Sequence, residues 1–370
     1  MANSSSSPYF TRFAKRANEA PDLEFTFVAL FPEKPKMVDE LQELGCRCEW
    51  VQYDGGRRKS ESLRAAFRLF RLFRERRPDI VHTHLFDDSL PGLLAARLAG
   101  VKTRIITKLD AGFHYLYAPR YIALDRFNNW NATTIVTVSG ENRRFVLEME
   151  DADSRKITLI HQGVPPQEVT SRSPRIRAEL LRRFALEGRK LVLVVARFVD
   201  MKGYPEIISA AAVVTRQHPD VKFVCVGSGG DMERVSRDIS RAGLQEFITL
   251  SDEISREELN DLFGLASVYL HAAISEPFGY TIAEAMLNEV PVVSTAVGAA
   301  KDSIRHAANG YLVEPQDADG LAAGICFMLA NDTKAIVALA RQTAERMFTM
   351  DAMWYGHTDL YRKCRTSDSG

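Results

Sequence analysis

The feature that most constrains the fold is the repeated alternation of short, β-branched apolar runs with helical patterns along almost the whole chain. Runs such as Ile135-Val-Thr-Val138 show continuous rather than alternating apolar character. A strand of this kind is typical of a parallel sheet that helices cover on both faces. The sequence therefore predicts an α/β protein built from doubly wound parallel sheets.

The spacing of these runs predicts two domains in tandem. Strands are predicted in the first half at 24–31, 47–53, 79–84, 103–107, 133–139 and 156–161, and in the second half at 190–196, 221–227, 246–250, 267–272, 290–295 and 310–313. Residues 164–174 separate the halves with three prolines and mostly polar residues, which is the composition of a linker. We expect one Rossmann-like domain at 1–168 and a second at 176–348, with binding sites at the carboxyl ends of their strands.

The beginning of the chain departs from this pattern. A doubly wound domain normally opens with a central strand and a glycine-bearing turn, whereas this sequence begins with a run of serines before a helical pattern at 8–18. We therefore expect the first strand of the N-terminal domain to be missing. Either the true start lies upstream or the domain tolerates the loss, and the first explanation is favoured.

Composition excludes several classes of protein. The 370 residues carry 48 Lys and Arg against 48 Asp and Glu, a net charge of zero, so no nucleic-acid partner is expected. The longest runs without a charged residue have 14 residues, fewer than the roughly twenty apolar residues of a membrane-spanning helix. Five scattered cysteines without a C-x-x-C pair, and a start without a signal-peptide pattern, predict a cytoplasmic protein.

The strongest local pattern follows the predicted strand at 267–272. The sequence Ser275-Glu-Pro-Phe-Gly-Tyr-Thr-Ile-Ala-Glu-Ala-Met286 predicts a loop and the N-terminus of a helix that runs to about Asn288. Free backbone N–H groups near Tyr280 and Thr281 suit an anion such as a diphosphate. Glu276 and Glu284 can accept hydrogen bonds from sugar and ribose hydroxyls. The alternative is a plain α/β turn whose acidic residues stabilise the helix.

Two cations follow the first predicted strand of the second half. Arg197 ends that strand, and Lys202-Gly203 lies five residues further on. Both charges suit a diphosphate leaving group, because they neutralise charge that grows as the bond to the phosphate breaks. The alternative is a pair of solvated loop cations. After the next strand, the small-residue turn Gly227-Ser-Gly229 would let a ligand approach the backbone.

Together these three patterns, in this order and spacing, closely resemble the retaining glycosyltransferases of family 4, also called group 1, which have two Rossmann-like domains in the GT-B arrangement. The resemblance covers nearly the whole chain. Its most specific motif is Glu276 and Glu284 with seven residues between them. The final segment, 349–365, resembles the terminal helix of the family, which crosses back onto the first domain.

The resemblance implies a role for each matching residue. Arg197 and Lys202 would bind the donor diphosphate and Glu276 the donor sugar, which makes these three the expected catalytic residues. Glu284 would hold the ribose, and residues 251–254 would lie beside the base. The other expected donor-binding residues surround the glycine turns and the helix N-terminus: Gly203, Gly227, Gly229, Phe278, Gly279, Tyr280 and Thr281.

No metal or other cofactor is expected in this architecture. The sequence does contain two D-x-D triplets, Asp151-Ala-Asp153 and Asp317-Ala-Asp319. Both are interpreted as solvated acids or helix caps.

The acceptor side departs from the family pattern. Family members commonly have a histidine two residues after the Thr that ends the fourth strand, and Leu109 stands at that place after Thr107. We expect Asp110 or His114 to supply the missing polar contact, with His84 at the end of the preceding strand. Retaining transfer in this family is usually drawn as front-face attack, in which the leaving phosphate helps to take the acceptor's proton. The loss of the histidine therefore does not exclude activity.

A basic segment runs from Arg57 to Arg77. It carries nine basic and two acidic residues, with Leu63, Ala66, Phe67, Phe70 and Phe73 at helical spacing. One interpretation is contact with an anionic membrane surface near a lipid-linked acceptor. The favoured interpretation is a helix whose apolar stripe packs on the sheet while its arginines face water.

These observations predict a metal-independent, retaining glycosyltransferase that moves a hexose from a nucleotide sugar to a glycan or lipid-linked acceptor. It would act in the cytoplasm or at the inner membrane face, in polysaccharide or lipopolysaccharide biosynthesis. Two alternatives stay open: a nucleotide-sugar epimerase of the same fold, and a catalytically impaired protein that only binds the nucleotide. A dehydrogenase is disfavoured because no G-x-G-x-x-G follows a first strand in either half.

Overall fold

A computed structural model describes residues 8–17, 19–109, 118–164 and 173–367. Strands and helices alternate as the sequence predicts, and every strand pairing within these ranges is parallel. The described chain divides into two compact units. Unit 1 extends to Val138, includes Asn142–Ile160 and resumes at Met350, while unit 2 comprises Ser139–Glu141 and His161–Thr349. The prediction of a mixed α/β protein with two Rossmann-like domains is confirmed.

Twelve strands and fifteen α-helices make up the described part of the chain. The strands are β1 (Thr26–Phe31), β2 (Arg47–Gln52), β3 (Ile80–Thr83), β4 (Thr103–Lys108), β5 (Thr134–Thr137), β6 (Ile157–Leu159), β7 (Lys190–Val195), β8 (Val221–Val226), β9 (Ile248–Ser251), β10 (Ala266–His271), β11 (Val292–Thr295) and β12 (Tyr311–Val313). The helices are α1 (Pro8–Ala17), α2 (Lys36–Glu43), α3 (Arg58–Arg76), α4 (Phe86–Ala99), α5 (Ile122–Asn131), α6 (Gly140–Met149), α7 (Pro174–Arg183), α8 (Tyr204–Gln217), α9 (Met232–Arg241), α10 (Arg256–Leu265), α11 (Tyr280–Leu287), α12 (Gly298–Ser303), α13 (Ala318–Ala330), α14 (Lys334–Met347) and α15 (Met350–Ser367).

The strands of unit 1 form two separate parallel sheets. One contains β1 and β2, and the other has the order β3-β4-β5-β6. Within the described ranges β1 and β3 are not paired with each other, and the first element is helix α1 rather than a strand. The described chain thus opens with the helical pattern that follows the serine run.

The division between the units does not fall at residue 168. Most of the predicted linker at 164–174 lies outside the described residues. The Val164 N–H donates to the Phe348 carbonyl at 2.7 Å, and Val164 also bridges to Thr349. These backbone contacts join Val164 to unit 2, to which residues 161–164 belong.

The last helix, α15, packs into the core of unit 1. Trp354 is buried, and its ring centroid lies 4.8 Å from that of Phe13 on α1 in an edge-on arrangement. The same core cluster contains Tyr361 and, from the sheets, Ala29 and Ile105. Aromatic pairs of this kind contribute about 0.5–1.5 kcal/mol beyond the apolar area that they bury.

A buried ion cluster lies at the end of β4. The Lys108 ammonium is 2.9 Å from Oδ1 of Asp125 on α5 and 2.7 Å from Oε2 of Glu150, which also accepts from the Asn129 amide at 2.8 Å. The Lys108 side chain is only 7% exposed. Burial acts to lower the pKa of Lys108, but the two carboxylates outweigh it and raise the pKa above its ordinary value. Lys108 is therefore charged and paired within the protein.

Three histidines stack in the same unit. The His82 ring lies 4.1 Å from that of His84 and 5.7 Å from that of His357, measured between centroids. The His82 nitrogens are each 2.7 Å from a hydroxyl oxygen, of Tyr361 and of Thr107. Burial lowers the pKa of all three histidines, to about 3 for His84 and about 4 for His357. They are neutral at ordinary pH.

Unit 2 contains one six-stranded parallel sheet of order β12-β11-β10-β7-β8-β9. Its continuously apolar strands are buried on both faces, as the sequence predicts for a sheet covered by helices. The core cluster includes Val192 and Phe223 from the sheet, with Ile207 and Ile325 from helices α8 and α13. This core fixes the strand ends that bear the candidate site.

Within the described ranges, no single helix has the length and apolar character to cross a bilayer. Only α13 and α14 taken together meet those criteria of length and composition, and the two helices bend by 113° at the break between them.

Candidate functional site

The strand order of unit 2 marks the place for a binding site. From β7 the chain proceeds to β8 on one side, whereas β10 pairs with the other side of β7. In open α/β sheets, ligands bind outside the carboxyl ends of the strands where the order reverses in this way. The residues that follow β7 and β10 are therefore the candidates for function.

Lys202, Glu276 and His271 meet at this point. Lys202 lies in a 3-10 turn after β7, and its ammonium pairs with Oε2 of Glu276 in the loop after β10. His271 ends β10, with Nε2 3.6 Å from the same oxygen and Nδ1 3.5 Å from Oγ of Ser294. The structure thus brings two of the three predicted catalytic residues together and adds a histidine that the sequence analysis missed. In the sequence, the only sign of this histidine is that a polar residue ends the otherwise apolar run of β10.

The charge state of Glu276 follows from these neighbours. Burial would raise the pKa of the Glu276 carboxyl, but the His271 side chain and the Lys202 ammonium outweigh it and lower the pKa to about 2. Glu276 is therefore ionised and acts only as a hydrogen-bond acceptor. Such a carboxylate can bind sugar hydroxyls while the neighbouring ammonium faces a phosphate.

Arg197 lies two residues beyond β7 and is exposed. Its guanidinium has no hydrogen-bond or ion-pair partner among the residues that the structure describes. The structure therefore does not place it in the ion pair of Lys202 and Glu276. Its role on a diphosphate stays a prediction.

Three of the predicted glycines lie so close to neighbouring backbone that no side chain would fit, and two of them also have a positive φ. Gly203 has φ of +68° and a Cβ there would collide with the carbonyl oxygen of Ala272. Gly229 has φ of +151°, and a Cβ there would strike the carbonyl of Phe198. Gly227 approaches the carbonyl of Ala196 just as closely. The turns after β7 and β8 are thus held close to neighbouring backbone by glycines. Whether a ligand approaches these turns stays a prediction.

The loop and helix after Glu276 adopt the predicted form. Gly279 caps α11 in the left-handed region with φ of +91°. Phe278 is buried, with its ring 5.3 Å from that of Phe348. Tyr280 is 41% exposed and donates its hydroxyl to Gln162 at 2.7 Å, and the Thr281 hydroxyl accepts from Tyr269 at 2.5 Å.

Glu284, the predicted ribose ligand, is buried on α11. Its Oε1 accepts from a terminal nitrogen of Arg256 at 2.7 Å. Arg256 begins helix α10, which is capped by reciprocal hydrogen bonds between Ser255 and Glu258. The sequence analysis missed Arg256. Its place just after 251–254, the segment expected beside the base, was the only signal for it.

Of the three predicted acceptor-side residues, the structure describes only His84. Asp110 and His114 lie outside the described residues. His84 packs inside unit 1, where it stacks on His82 and meets the edge of the Phe10 ring at 5.0 Å. This placement fits a packing role, and a role of His84 on the acceptor stays a prediction.

The D-x-D triplets are explained locally. Asp153 accepts from the backbone N–H of Arg155, and Asp317 caps α13 by accepting from Gly320 at 2.8 Å. The interpretation of these residues as caps is confirmed. Across the described ranges, no group of three or more His, Cys, Asp or Glu side chains is placed to hold a metal ion.

The favoured interpretation of the basic helix α3 is correct for only part of its apolar stripe. Ala66 and Phe73 of the stripe are buried beside Leu69, whereas Leu63 and Phe67 are 70% and 62% exposed. The reason is that an apolar stripe wider than the contact with the sheet leaves its outer residues in solvent.

Two family models together match most of the chain. The model of the glycosyl transferases group 1 matches residues 177–346, and that of the glycosyl transferase 4-like domain matches residues 7–163.

Known proteins and structures show the same similarity. An uncharacterized glycosyltransferase of Methanocaldococcus jannaschii, MJ1607, is 26% identical over 56% of this chain and 54% of its own length. The GDP-mannose-dependent α-(1-6)-phosphatidylinositol monomannoside mannosyltransferase of Mycolicibacterium smegmatis is 29% identical over 65% of this chain and 64% of its own. The chain thus spans about half to two thirds of these relatives.

Among solved structures, Anabaena Alr3699/HepE in complex with UDP and glucose superimposes with a TM-score of 0.80 over 98% of both chains, at 17% identity. This likeness concerns the fold. With the two family models and the Glu276 to Glu284 motif at the strand ends of unit 2, it leads to one conclusion: the chain belongs to the group 1 glycosyltransferases.

Proposed function

We propose that this chain is an enzyme that transfers a hexose from a nucleotide diphosphate sugar to a hydroxyl of a glycan or lipid-linked acceptor, without a metal and with retention of configuration. The observation that carries the proposal is the cluster of Lys202 with the ionised Glu276 at the switch point of unit 2. The relatives support it, because one is a GDP-mannose-dependent mannosyltransferase and a structural neighbour binds UDP and glucose.

The charges at the site suit the bond changes of this reaction. The bond from the anomeric carbon to the diphosphate breaks, and a bond to the acceptor oxygen forms on the same face of the sugar. The acceptor's proton passes to an oxygen of the leaving diphosphate. Lys202 and Arg197 supply positive charge where the leaving group becomes more negative, which lowers the barrier. Glu276 orients the sugar through its hydroxyls.

The experiment that tests this proposal is product analysis with purified protein. UDP-, GDP- and ADP-sugars are each incubated with a panel of glycan and lipid-linked acceptors, in buffer with EDTA. We expect one donor to give a glycosylated product whose anomeric proton signal shows the configuration of the donor. Epimerised or hydrolysed donor without transfer, or binding without turnover, would instead support the alternative functions.

We also propose that the enzyme works at the cytoplasmic face of a membrane, with helix α3 on the surface. Leu63 and Phe67 are exposed on α3, and the exposed arginines of the same helix include Arg64, Arg68 and Arg71. Exposed apolar side chains among arginines are typical of helices that lie on anionic lipid. This placement would bring the enzyme to a lipid-linked acceptor in polysaccharide or lipopolysaccharide biosynthesis.

Co-sedimentation with vesicles tests the membrane proposal. We expect binding to vesicles that contain phosphatidylglycerol, weak binding to pure phosphatidylcholine, and loss of binding in the double variant Leu63→Ser, Phe67→Ser. Equal binding to both kinds of vesicle, or full binding by the double variant, would contradict it.

A further inference from the structure

Arg256 and Glu284 form an ion pair that joins two separate βα segments of unit 2. Arg256 is the first residue of α10, after β9, and Glu284 lies in the second turn of α11, after β10. The terminal nitrogen and the carboxylate oxygen are 2.7 Å apart, which is the distance of a strong charge-assisted hydrogen bond. The pair therefore fixes where the Glu284 carboxylate stands.

The burial of the Glu284 side chain makes its carboxylate depend on a nearby positive charge. The Glu284 side chain is 10% exposed and that of Arg256 is 37% exposed. A nearly buried carboxylate that loses its cation either takes up a proton or turns away, because an unpaired charge is costly in such surroundings. The contact with Arg256 thus contributes to the orientation and charge of Glu284.

The pair also leaves one donor unsatisfied. The Nε–H of Arg256 is buried and has no hydrogen-bond partner among the described residues. A buried donor without a partner costs free energy, and native proteins rarely retain one without a reason. A hydroxyl bound beside the carboxylate of Glu284 would satisfy it.

We propose that Arg256 is a positioning residue for the nucleotide, which holds Glu284 ionised and oriented so that the site selects ribonucleotides over 2'-deoxyribonucleotides. The proposal rests on the proposed function, because it assumes that Glu284 binds the ribose of the donor. A carboxylate held by Arg256 accepts a charge-assisted hydrogen bond from the ribose, and a 2'-deoxyribose cannot donate the same one. Arg256 therefore controls the ratio of the affinities for a ribonucleotide and for its 2'-deoxy counterpart.

Calorimetric titration of UDP, GDP and ADP, each beside its 2'-deoxy counterpart, tests the proposal. For the nucleotide that binds wild-type protein, we expect the ribose form to bind about tenfold tighter. In Arg256→Gln this ratio should fall below about threefold, while Arg256→Lys should restore most of it by returning the charge. Thermal melting of each variant checks that it is folded.

Arg341→Gln is the matched control. Arg341 has 40% exposure and a 2.7 Å contact to Glu289, just beyond the far end of α11. It should keep the wild-type ratio, since it removes a similar ion pair from the same unit.

The possible results separate this proposal from the proposed function. If Arg256→Gln weakens both members of a nucleotide pair equally, Arg256 contacts the phosphate or base directly and the positioning role is overturned. Unchanged affinities in a folded Arg256→Gln would also overturn it. If wild-type protein binds none of the nucleotides, the proposed function itself fails, and this inference fails with it.

Discussion

The two units each contain a lysine paired with a glutamate near the end of a strand, but in different surroundings. In unit 1, Lys108 touches Asp125 and Glu150 and is 7% exposed. In unit 2, Lys202 meets Glu276 beside His271, and both partners of the pair keep about twice that exposure. The first cluster has its charges satisfied within the fold, whereas the second stands where the strand order reverses.

The difference in burial suggests different roles: the Lys108 cluster stabilises the fold, whereas the Lys202 pair can contact a ligand. A buried ion pair with all its partners inside the protein holds segments together, and removing one partner leaves a buried charge unpaired. A partly exposed pair at a strand end can exchange its contacts for those of a ligand. Lys108 directly follows one predicted strand and Lys202 lies six residues beyond another, and neither position shows whether the lysine is buried among partners or stands at a site. Their surroundings in the fold make that distinction.

The largest expected effect is on stability, from Lys108→Met. The variant keeps most of the side-chain volume but leaves Asp125 and Glu150 without their cation, so we expect a loss of about 3–5 kcal/mol in the free energy of unfolding. Urea unfolding followed by tryptophan fluorescence measures it, because Trp50, Trp130 and Trp354 all lie in unit 1. A variant as stable as wild type would show that this cluster does not hold the fold.

The next effect is on catalysis, from Lys202→Ala. Removing the charge beside the leaving group should lower kcat by about 10²–10³-fold, with a smaller loss in nucleotide affinity. Steady-state transfer kinetics and nucleotide titration measure the two quantities. Lys190→Ala is the control, because Lys190 pairs with Asp220 at the opposite end of β7. Equal kcat values in the two variants would show that Lys202 has no role in catalysis.

Acid should weaken unit 1 before unit 2. The histidines at 82, 84 and 357 bind protons below about pH 6.5 when unfolded but stay neutral when folded, because burial lowers their pKa. Their stabilising contribution is therefore complete above pH 6.5 and is lost as the pH falls. Burial raises the pKa of Asp88 to about 6, despite its backbone hydrogen bonds, so this residue partly offsets the loss. We expect a net loss of about 3 kcal/mol in the stability of unit 1 from pH 6 to pH 5.

In unit 2, the low pKa of Glu276 stabilises the fold above about pH 4.5, and this contribution is lost only as the pH falls towards 2. Hydrogen exchange at pH 7, 6 and 5, compared between the units, measures the difference. His357→Phe removes one of the three titrating rings, so it should remove about 1 kcal/mol of the loss that unit 1 shows between pH 6 and pH 5. Equal acid sensitivity of the two units would contradict the prediction.

The sequence predicted those features that depend on local pattern. The strand and helix order and the helix that begins after Gly279 follow from runs along the chain, and the family resemblance singled out Lys202, Glu276 and Glu284 as candidates. Arg256 was not predicted, because its contact with Glu284 joins two segments that meet only through the strand order of the sheet. His271 lies only five residues before Glu276 and was missed, because a single histidine at the end of a predicted strand does not show which side chain it contacts. The exposure of Leu63 and Phe67 was likewise missed, since helical spacing shows that a stripe is apolar but not how much of it the sheet covers.

The most direct test of the account is calorimetric titration of UDP, GDP and ADP into wild-type protein and into Glu284→Ala. The account predicts that one nucleotide binds the wild type and that its affinity falls about tenfold or more in Glu284→Ala, because the carboxylate that accepts from the ribose is gone. Thermal melting confirms that the variant is folded. Equal affinity in the two proteins, or no binding of any of the three nucleotides to folded wild type, would contradict the claim that unit 2 holds the donor site.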